Sequence, residues 1–128
     1  MDDNELVALA VQARSNAYAP YSHYEVGAAL LASSGRVYTG CNIENSSFGL
    51  TICAERTAAA KAVSEGERQF VAVAVVTADG GTPCGACRQV LAEFGPTMRV
   101  LIADTAGNRK AYGLPDLLPH AFALLRKS

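Results

Sequence analysis

The sequence predicts an α/β fold in which helices pack against one mixed β-sheet. Segments with a helical spacing of apolar residues alternate with short β-branched segments, and one of these strands, FVAVAVVT, is apolar throughout, as expected when both faces are covered. The order is helix, strand, strand, helix, strand, helix, strand and a possible fifth strand. A chain of 128 residues with 50% hydrophobic residues can bury its own core. We therefore expect a single domain spanning residues 1–128.

The first half of the chain predicts a helix, a hairpin and a second helix. Residues 2–17 begin with acidic residues and then repeat small or apolar residues at helical spacing. After the connection AYAPYSHYE, the segments VGAALLAS and RVYTGCNI flank a Ser-Ser-Gly turn at 33–35, which indicates two strands. The polar segment NIENSSFGLT predicts a loop. The next helix is expected to begin near Cys53 and to end at Gly66.

The second half predicts two buried strands and one helix between them. FVAVAVVT and MRVLIAD are the apolar strands, and CGACRQVLAEFG is a helix that ends at Gly95. TAGN is typical of a turn. The C-terminal segment GLPDLLPHAFALLRKS favours one or two short helices between its prolines.

Composition limits the expected partners and location. The chain has 11 Lys+Arg against 12 Asp+Glu, and no basic block beyond the terminal LLRKS, so we expect no nucleic-acid partner. The acidic N-terminus lacks the order of a secretory signal, and the longest strongly apolar segment, FVAVAVV, is too short to span a bilayer. A cytoplasmic protein without membrane contact is expected. Its four cysteines then favour thiolate or metal chemistry over disulfides.

Cys84 and Cys87 form a CxxC motif, which alone is compatible with redox chemistry, metal binding or neither. Cys53 and Glu55 lie at the predicted start of the preceding helix. Residues i and i+2 of a helix point about 200° apart, so these two can face one cavity only if Cys53 lies at the helix entrance. Two helix N-termini can then present three sulfurs to one point, where the helix dipoles favour thiolates.

Three protein ligands and one open position describe a catalytic zinc whose fourth ligand is water. We therefore expect one Zn²⁺ per chain. His23 and His120 have no neighbouring ligand pattern and are interpreted as loop or surface residues. Cys41, at the end of a predicted strand, is interpreted as a buried structural thiol.

Glu55 and Arg56 each allow more than one interpretation. Glu55 could bind zinc or complement the helix dipole, but a general base that takes a proton from the zinc-bound water and returns it to a leaving group fits better. Three thiolates on Zn²⁺ sum to −1, and this charge opposes deprotonation of the water. Arg56 could offset it by donating hydrogen bonds to the sulfurs. The alternative for Arg56 is an ordinary surface position.

The tripeptide CAE at 53–55 followed by PCGAC at 83–87 matches the CxE…PCxxC pattern of zinc nucleoside deaminases. The chain resembles the small tetrameric cytidine deaminases over nearly its whole length, in the segments AYAPYSHYEVGAALL, GCNIENSSFG, TICAERTA, PCGACRQ and LLPHAF. This resemblance implies a cytidine-deaminase-like fold with α-β-α layers around one central mixed five-stranded sheet. It also implies a homotetramer with active sites shared between subunits.

The activity implied by the resemblance is hydrolytic deamination of cytidine and 2′-deoxycytidine to uridine and 2′-deoxyuridine, with release of ammonia, in pyrimidine salvage. Zinc-bound hydroxide would attack C4 of cytosine, and Glu55 would shuttle protons to N3 and to the departing amine.

The resemblance also assigns substrate-binding residues. Asn42 and Glu44 match positions that hold the ribose 3′-hydroxyl, and an amide with a carboxylate offers it both a donor and an acceptor. Without the resemblance, a capped turn with Asn45 is the simpler interpretation. Ala54 and Cys84 would supply backbone groups near the base.

Three aromatic residues complete the implied site. Phe122 matches an aromatic that reaches a neighbouring subunit's pocket. Tyr24 and Phe48 stand where relatives often carry Phe and Tyr respectively, and the Tyr24 hydroxyl needs a partner if it is buried.

Other functions make different demands on these residues. Deaminases of other cytosine nucleosides, such as the blasticidin S deaminases, share the zinc site. A non-catalytic zinc module would not need Glu55 and would need a fourth protein ligand. A CxxC oxidoreductase would leave Cys53 and Glu55 unexplained. A polynucleotide editor would need a positively charged groove, and the chain lacks the charge for one.

Overall fold

The computed structural model describes residues 1–125 as helices on both faces of one sheet. The elements are α1 (Asp3–Arg14), β1 (Gly27–Ala32), β2 (Val37–Cys41), α2 (Ala54–Ser64), β3 (Phe70–Thr77), α3 (Gly85–Phe94), β4 (Arg99–Asp104), β5 (Arg109–Gly113) and α4 (Leu114–Leu117). A short 3₁₀ turn, Phe48–Leu50, lies between β2 and α2.

The sheet has five strands in the order β2-β1-β3-β4-β5. β3 and β4 pair in parallel, whereas the other three neighbouring pairs are antiparallel. The mixed five-stranded sheet predicted from the sequence is therefore confirmed. The β1–β2 turn contains Gly35 with a φ of 91°, a conformation that glycine adopts without steric cost.

The two faces of the sheet differ in side-chain size. Along β3, Val73 and Val75 belong to the core under α2 and α3, whereas Ala72 and Ala74 pack with Leu6 and other residues of α1. This period-2 alternation gives both faces an apolar surface, because successive strand residues point in opposite directions. The predicted α-β-α layering follows from it.

Gly40 in β2 sets the position of α2. A Cβ atom at Gly40 would lie 2.6 Å from the Ala54 carbonyl oxygen and 2.6 Å from the Ala58 nitrogen. The first turn of α2 therefore rests directly on the strand backbone, which fixes the place where Cys53 enters the helix.

Two local details differ from the sequence predictions, and the short C-terminal helix agrees with them. α1 ends at Arg14, and Ser15 caps it through backbone bonds to Gln12 and Ala13. The predicted loop at 42–51 contains the 3₁₀ turn and is held to the next segment by a β-bridge between Ile43 and Ile52. In the C-terminal segment the structure has one short helix, α4, and residues 126–128 of that segment lie outside the described residues.

No helix among residues 1–125 combines the length and the apolar composition needed to cross a bilayer.

Candidate active site

The starts of α2 and α3 bring three cysteines together. Cys53 is the N-cap of α2 and Cys84 is the N-cap of α3, both with extended backbone, and Cys87 lies on the first turn of α3. The three sulfurs all lie within 4.8 Å of one another. The helix-entrance position predicted for Cys53 is therefore confirmed.

The spacing of the sulfurs fits a tetrahedral metal. A Zn–S bond of about 2.3 Å places the sulfurs of such a site about 3.8 Å apart. The Sγ–Sγ distance is 3.8 Å between Cys53 and Cys84 and 3.3 Å between Cys84 and Cys87. Both distances are close to that value, so this donor set suits zinc.

The Cys53 sulfur favours the thiolate form in which cysteine binds metals. Two hydrogen bonds, a stronger contribution from the Cys87 thiol and a weaker one from Arg56, lower the pKa of Cys53 to about 5 although the side chain is partly buried. The bond between the two thiols also raises the pKa of Cys87, and burial adds to that increase. Arg56 Nη2 lies 3.7 Å from Cys53 Sγ, and the Nε of Arg56 is buried without a hydrogen-bond partner among the described residues.

Glu55 lies on the first turn of α2, and only 4% of its surface is exposed. Burial, and next the charge of Cys53, raise the pKa of the Glu55 carboxyl to about 7. A carboxyl group with such a pKa exchanges its proton readily near neutral pH.

A cavity of about 340 Å³ opens in front of the cysteines. Six of its lining residues were predicted from the sequence as site residues besides the cysteines: Tyr24, Asn42, Glu44, Phe48, Ala54 and Glu55. Cys53 and Cys84 lie in the same lining. The structure thus brings the proposed metal ligands, the carboxyl group and most of the proposed substrate-binding residues to one place.

Asn42 and Glu44 are held by the segment before β1. Asn42 is 7% exposed; its Oδ1 accepts from the Val26 N–H at 3.0 Å, and its Nδ2 donates to the Tyr24 carbonyl at 2.8 Å. Glu44 accepts backbone N–H bonds from Tyr21 and Ser22, and the hydroxyl of Ser22 also donates to it. The hydrogen bond from the Ser22 hydroxyl contributes most to lowering the pKa of Glu44, and the bonds from the two N–H groups lower it further. Its carboxylate is therefore ionised at neutral pH.

Known proteins share this sequence and this fold. Residues 1–103 match the family model described as "Cytidine and deoxycytidylate deaminase zinc-binding region". The chain belongs to this family. A cytidine deaminase of Sporosarcina psychrophila is 52% identical over 126 residues, which cover 96% of this chain and 93% of that relative. A cytidine deaminase of Mycobacterium tuberculosis is 47% identical over 126 residues, covering 97% and 92%.

Solved structures of cytidine deaminases superpose closely on this deaminase-family chain. The crystal structure from Burkholderia pseudomallei has a TM-score of 0.91 and 48% identity, and the match covers 95% of this chain and 100% of that one. The structure from Mycobacterium tuberculosis has a TM-score of 0.84 and 46% identity, covering 97% and 99%.

His23 and His120 are exposed loop residues, as predicted. Both have a positive φ, 58° at His23 and 55° at His120. Cys41 is only partly buried, so the expectation of a buried structural thiol is wrong. The reason is that β2 is an edge strand, and the thiol donates to the Asn16 carbonyl oxygen at 3.5 Å across that edge.

Phe122 lies outside the cavity of its own chain, and 69% of its surface is exposed. Conversely, sequence reasoning missed polar residues that line or brace the cavity: Ser22, Thr51, Thr77 and Thr82. Single serines and threonines in loops carry no pattern that distinguishes them from turn residues.

Proposed function

We propose that the chain catalyses the hydrolytic deamination of cytidine and 2′-deoxycytidine, giving uridine, 2′-deoxyuridine and ammonia. The observation that carries this proposal is that Cys53, Cys84 and the buried Glu55 open into one cavity of nucleoside-compatible size. Relatives named cytidine deaminase, about half identical over nearly the full chain, support the substrate class.

We propose Cys53, Cys84 and Cys87 as the ligands of one Zn²⁺ ion. When bound, the ion supplies a Lewis acid that lowers the pKa of a water molecule. Glu55 would take one proton from that water and give it to N3 of the cytosine ring as the water oxygen bonds to C4. It would then pass the remaining proton of that oxygen to the amino group, and the C4–N bond would break to release ammonia. Arg56 donates to the Cys53 sulfur and offsets the negative charge of the three thiolates.

Asn42 and Glu44 are proposed to hold the ribose. One N–H of the Asn42 amide is used by the Tyr24 carbonyl, so the second is available as a donor to a sugar hydroxyl. The ionised Glu44 carboxylate accepts from the same hydroxyl. The backbone groups of Ala54 and Cys84, at helix starts where N–H groups lack intrahelical partners, face the base. Tyr24 and Phe48 form the cavity wall.

A homotetramer with shared active sites is proposed on the distribution of exposed aromatic groups. Phe48 lines the cavity with 88% of its surface exposed, and Phe122 is exposed elsewhere. In the assembly, Phe122 of one chain would reach the cavity of another. Sedimentation at several concentrations tests this: a monomer that retains full activity contradicts it.

We further propose a cytoplasmic enzyme of pyrimidine salvage. All four cysteines are free thiols, which suits a reducing compartment. The net charge of −1 favours a small nucleoside over nucleic acid as the substrate.

The decisive experiment is a screen for ammonia release with zinc quantified in the same sample. Cytidine, deoxycytidine, free cytosine, adenosine and blasticidin S are compared. We expect about one zinc per chain and turnover of the first two. Turnover of blasticidin S alone would favour the deaminases of that type, because those act on a different cytosine nucleoside. A zinc-loaded chain without any deaminase activity would favour a non-catalytic module.

A further inference from the structure

The guanidinium of Arg88, on α3, donates a hydrogen bond from each of its three nitrogen atoms. Nε donates to the Pro83 carbonyl at 2.7 Å, Nη2 to the Thr82 hydroxyl at 2.9 Å, and Nη1 to the Leu117 carbonyl at 2.6 Å. Two acceptors precede the helix, and the third, Leu117, lies 29 residues after Arg88 in sequence. These bonds therefore connect separate segments rather than stabilise α3 alone.

Two of the acceptors belong to the segment that leads into Cys84. Residues 78–84 contain no regular secondary structure. Their first part is held by Thr77, whose hydroxyl accepts from Gly80 N–H at 2.8 Å and from Gly81 N–H at 3.0 Å. Their last part is held by Arg88. The bond to the Pro83 carbonyl fixes the peptide unit directly before Cys84, whose own side chain is exposed.

The third acceptor connects this segment to the C-terminal part of the chain. Leu117 is the last residue of α4, and the neighbouring Gln89 donates from Nε2 to the Phe122 carbonyl at 3.0 Å. Arg88 and Gln89 thus hold the segment after β5 against the start of α3.

We infer that Arg88 is a positioning residue for the metal ligand Cys84. Its three hydrogen bonds hold the backbone before Cys84 against the end of α4. They thereby fix the direction in which the Cys84 sulfur points. A lysine has a single nitrogen and cannot reach three acceptors in this planar arrangement. The inference rests on the proposed zinc site, and its test uses metal binding rather than turnover.

The test compares Arg88→Lys with a matched control, Arg68→Lys. Arg68 also donates to backbone carbonyls, of Val63 at 2.9 Å and Glu67 at 2.8 Å, but these lie in the last turn of α2 and just after it, outside the cavity lining. Zinc affinity is measured by competition with a chelator, and the geometry of the thiolates by the absorption spectrum of the Co²⁺-substituted protein. We expect zinc affinity about ten- to a hundred-fold weaker in Arg88→Lys, as for losses of groups that orient ligands. Its cobalt spectrum is expected to change, whereas Arg68→Lys matches the wild type.

A second variant, Thr82→Val, removes only one of the three acceptors. We expect a change in the same direction but smaller, and this variant decides the matter if Arg88→Lys does not fold. Wild-type zinc affinity and cobalt spectrum in Thr82→Val and Arg88→Lys would overturn the inference. Equal loss of affinity in Arg88→Lys and Arg68→Lys, with equal loss of thermal stability, would also overturn it. A wild-type chain that binds zinc but does not deaminate cytidine contradicts the proposed function only.

Discussion

The Tyr24 hydroxyl donates a 2.6 Å hydrogen bond to the carboxylate of Asp79, 55 residues further along the chain. This bond joins the segment before β1, which holds Asn42, to the segment after β3, which leads into Cys84. The partner of the Tyr24 hydroxyl is thus a charged group in a segment whose residues Thr77 and Gly81 line the cavity. Relatives with phenylalanine at this position would lack that bond.

Replacing Tyr24 with Phe removes the bond and keeps the ring. We expect a lower thermal unfolding midpoint and a higher KM for cytidine, with kcat changed less than KM, because two segments that line the cavity lose a connection but Glu55 stays in place. Tyr21→Phe is the control, since the Tyr21 hydroxyl bonds the neutral Ser46 hydroxyl at 2.7 Å. Equal effects of the two variants would show that the Asp79 bond has no special role.

The Tyr24–Asp79 bond also makes a prediction about pH. The hydrogen bond from Tyr24 is the largest cause that lowers the pKa of Asp79 below its usual 3.8. A lowered pKa stabilises the fold above the unfolded-state value, and this stabilisation is lost as the pH falls through the folded-state value. The difference in unfolding midpoint between wild type and Tyr24→Phe should therefore be full at pH 6 and shrink below pH about 4. A constant difference across this range contradicts the assignment.

Replacing Glu55 with Gln tests the proton-transfer role. We expect the variant to keep its fold and zinc but to lose about 10²- to 10⁴-fold in turnover, because glutamine cannot carry a proton. Zinc content and ammonia release are measured on one sample. Glu65→Gln, an exposed position at the end of the same helix, is the control. Loss of the metal from Glu55→Gln would instead identify Glu55 as a ligand.

Replacing Arg56 with Ala removes the donor to the Cys53 sulfur. We expect zinc affinity or turnover to fall by about ten- to a hundred-fold, since the thiolate charge is less well compensated. Chelator competition and steady-state kinetics measure the two effects. Unchanged values for both would leave Arg56 with only a surface role.

Replacing Gly40 with Ala tests the contact between β2 and α2. The added methyl group would lie 2.6 Å from backbone atoms of α2, so the helix must move, at a cost of about 1–3 kcal/mol in the free energy of unfolding. We also expect weaker zinc binding, because the start of α2 carries Cys53. Gly49→Ala is the control, since nothing lies within 4 Å of a Cβ there. Unfolding of both variants is measured in urea. Equal unfolding midpoints for the two would contradict the expectation.

The sequence predicts most of the fold and the metal cluster because those features depend on local patterns. The continuous apolar run predicts β3 as a strand covered on both faces, and the apolar periodicity of α2 and α3 places Cys53 and Cys84 at helix starts. Those two positions, with Cys87 one turn after Cys84, are enough to predict a three-sulfur cluster.

The supporting contacts were not predictable in this way. Asp79 and Arg88 bind partners that are distant in sequence or belong to irregular backbone. Their acceptors and donors are common groups without a distinctive spacing. Likewise, the partial exposure of Cys41 depends on which strand lies at the sheet edge, a property of the complete topology.

The positions of the three sulfurs also constrain how the chain matures during translation. Cys53 precedes β3, whereas Cys84 and Cys87 follow it, so the ligand set is complete only when residue 87 of 128 has been synthesised. The β1–β2 hairpin and α1 are made before any complete zinc site exists. A metal ion held by all three sulfurs would therefore bind only after α1 and the β1–β2 hairpin have been synthesised, and it would link the chain before β3 to the chain after it.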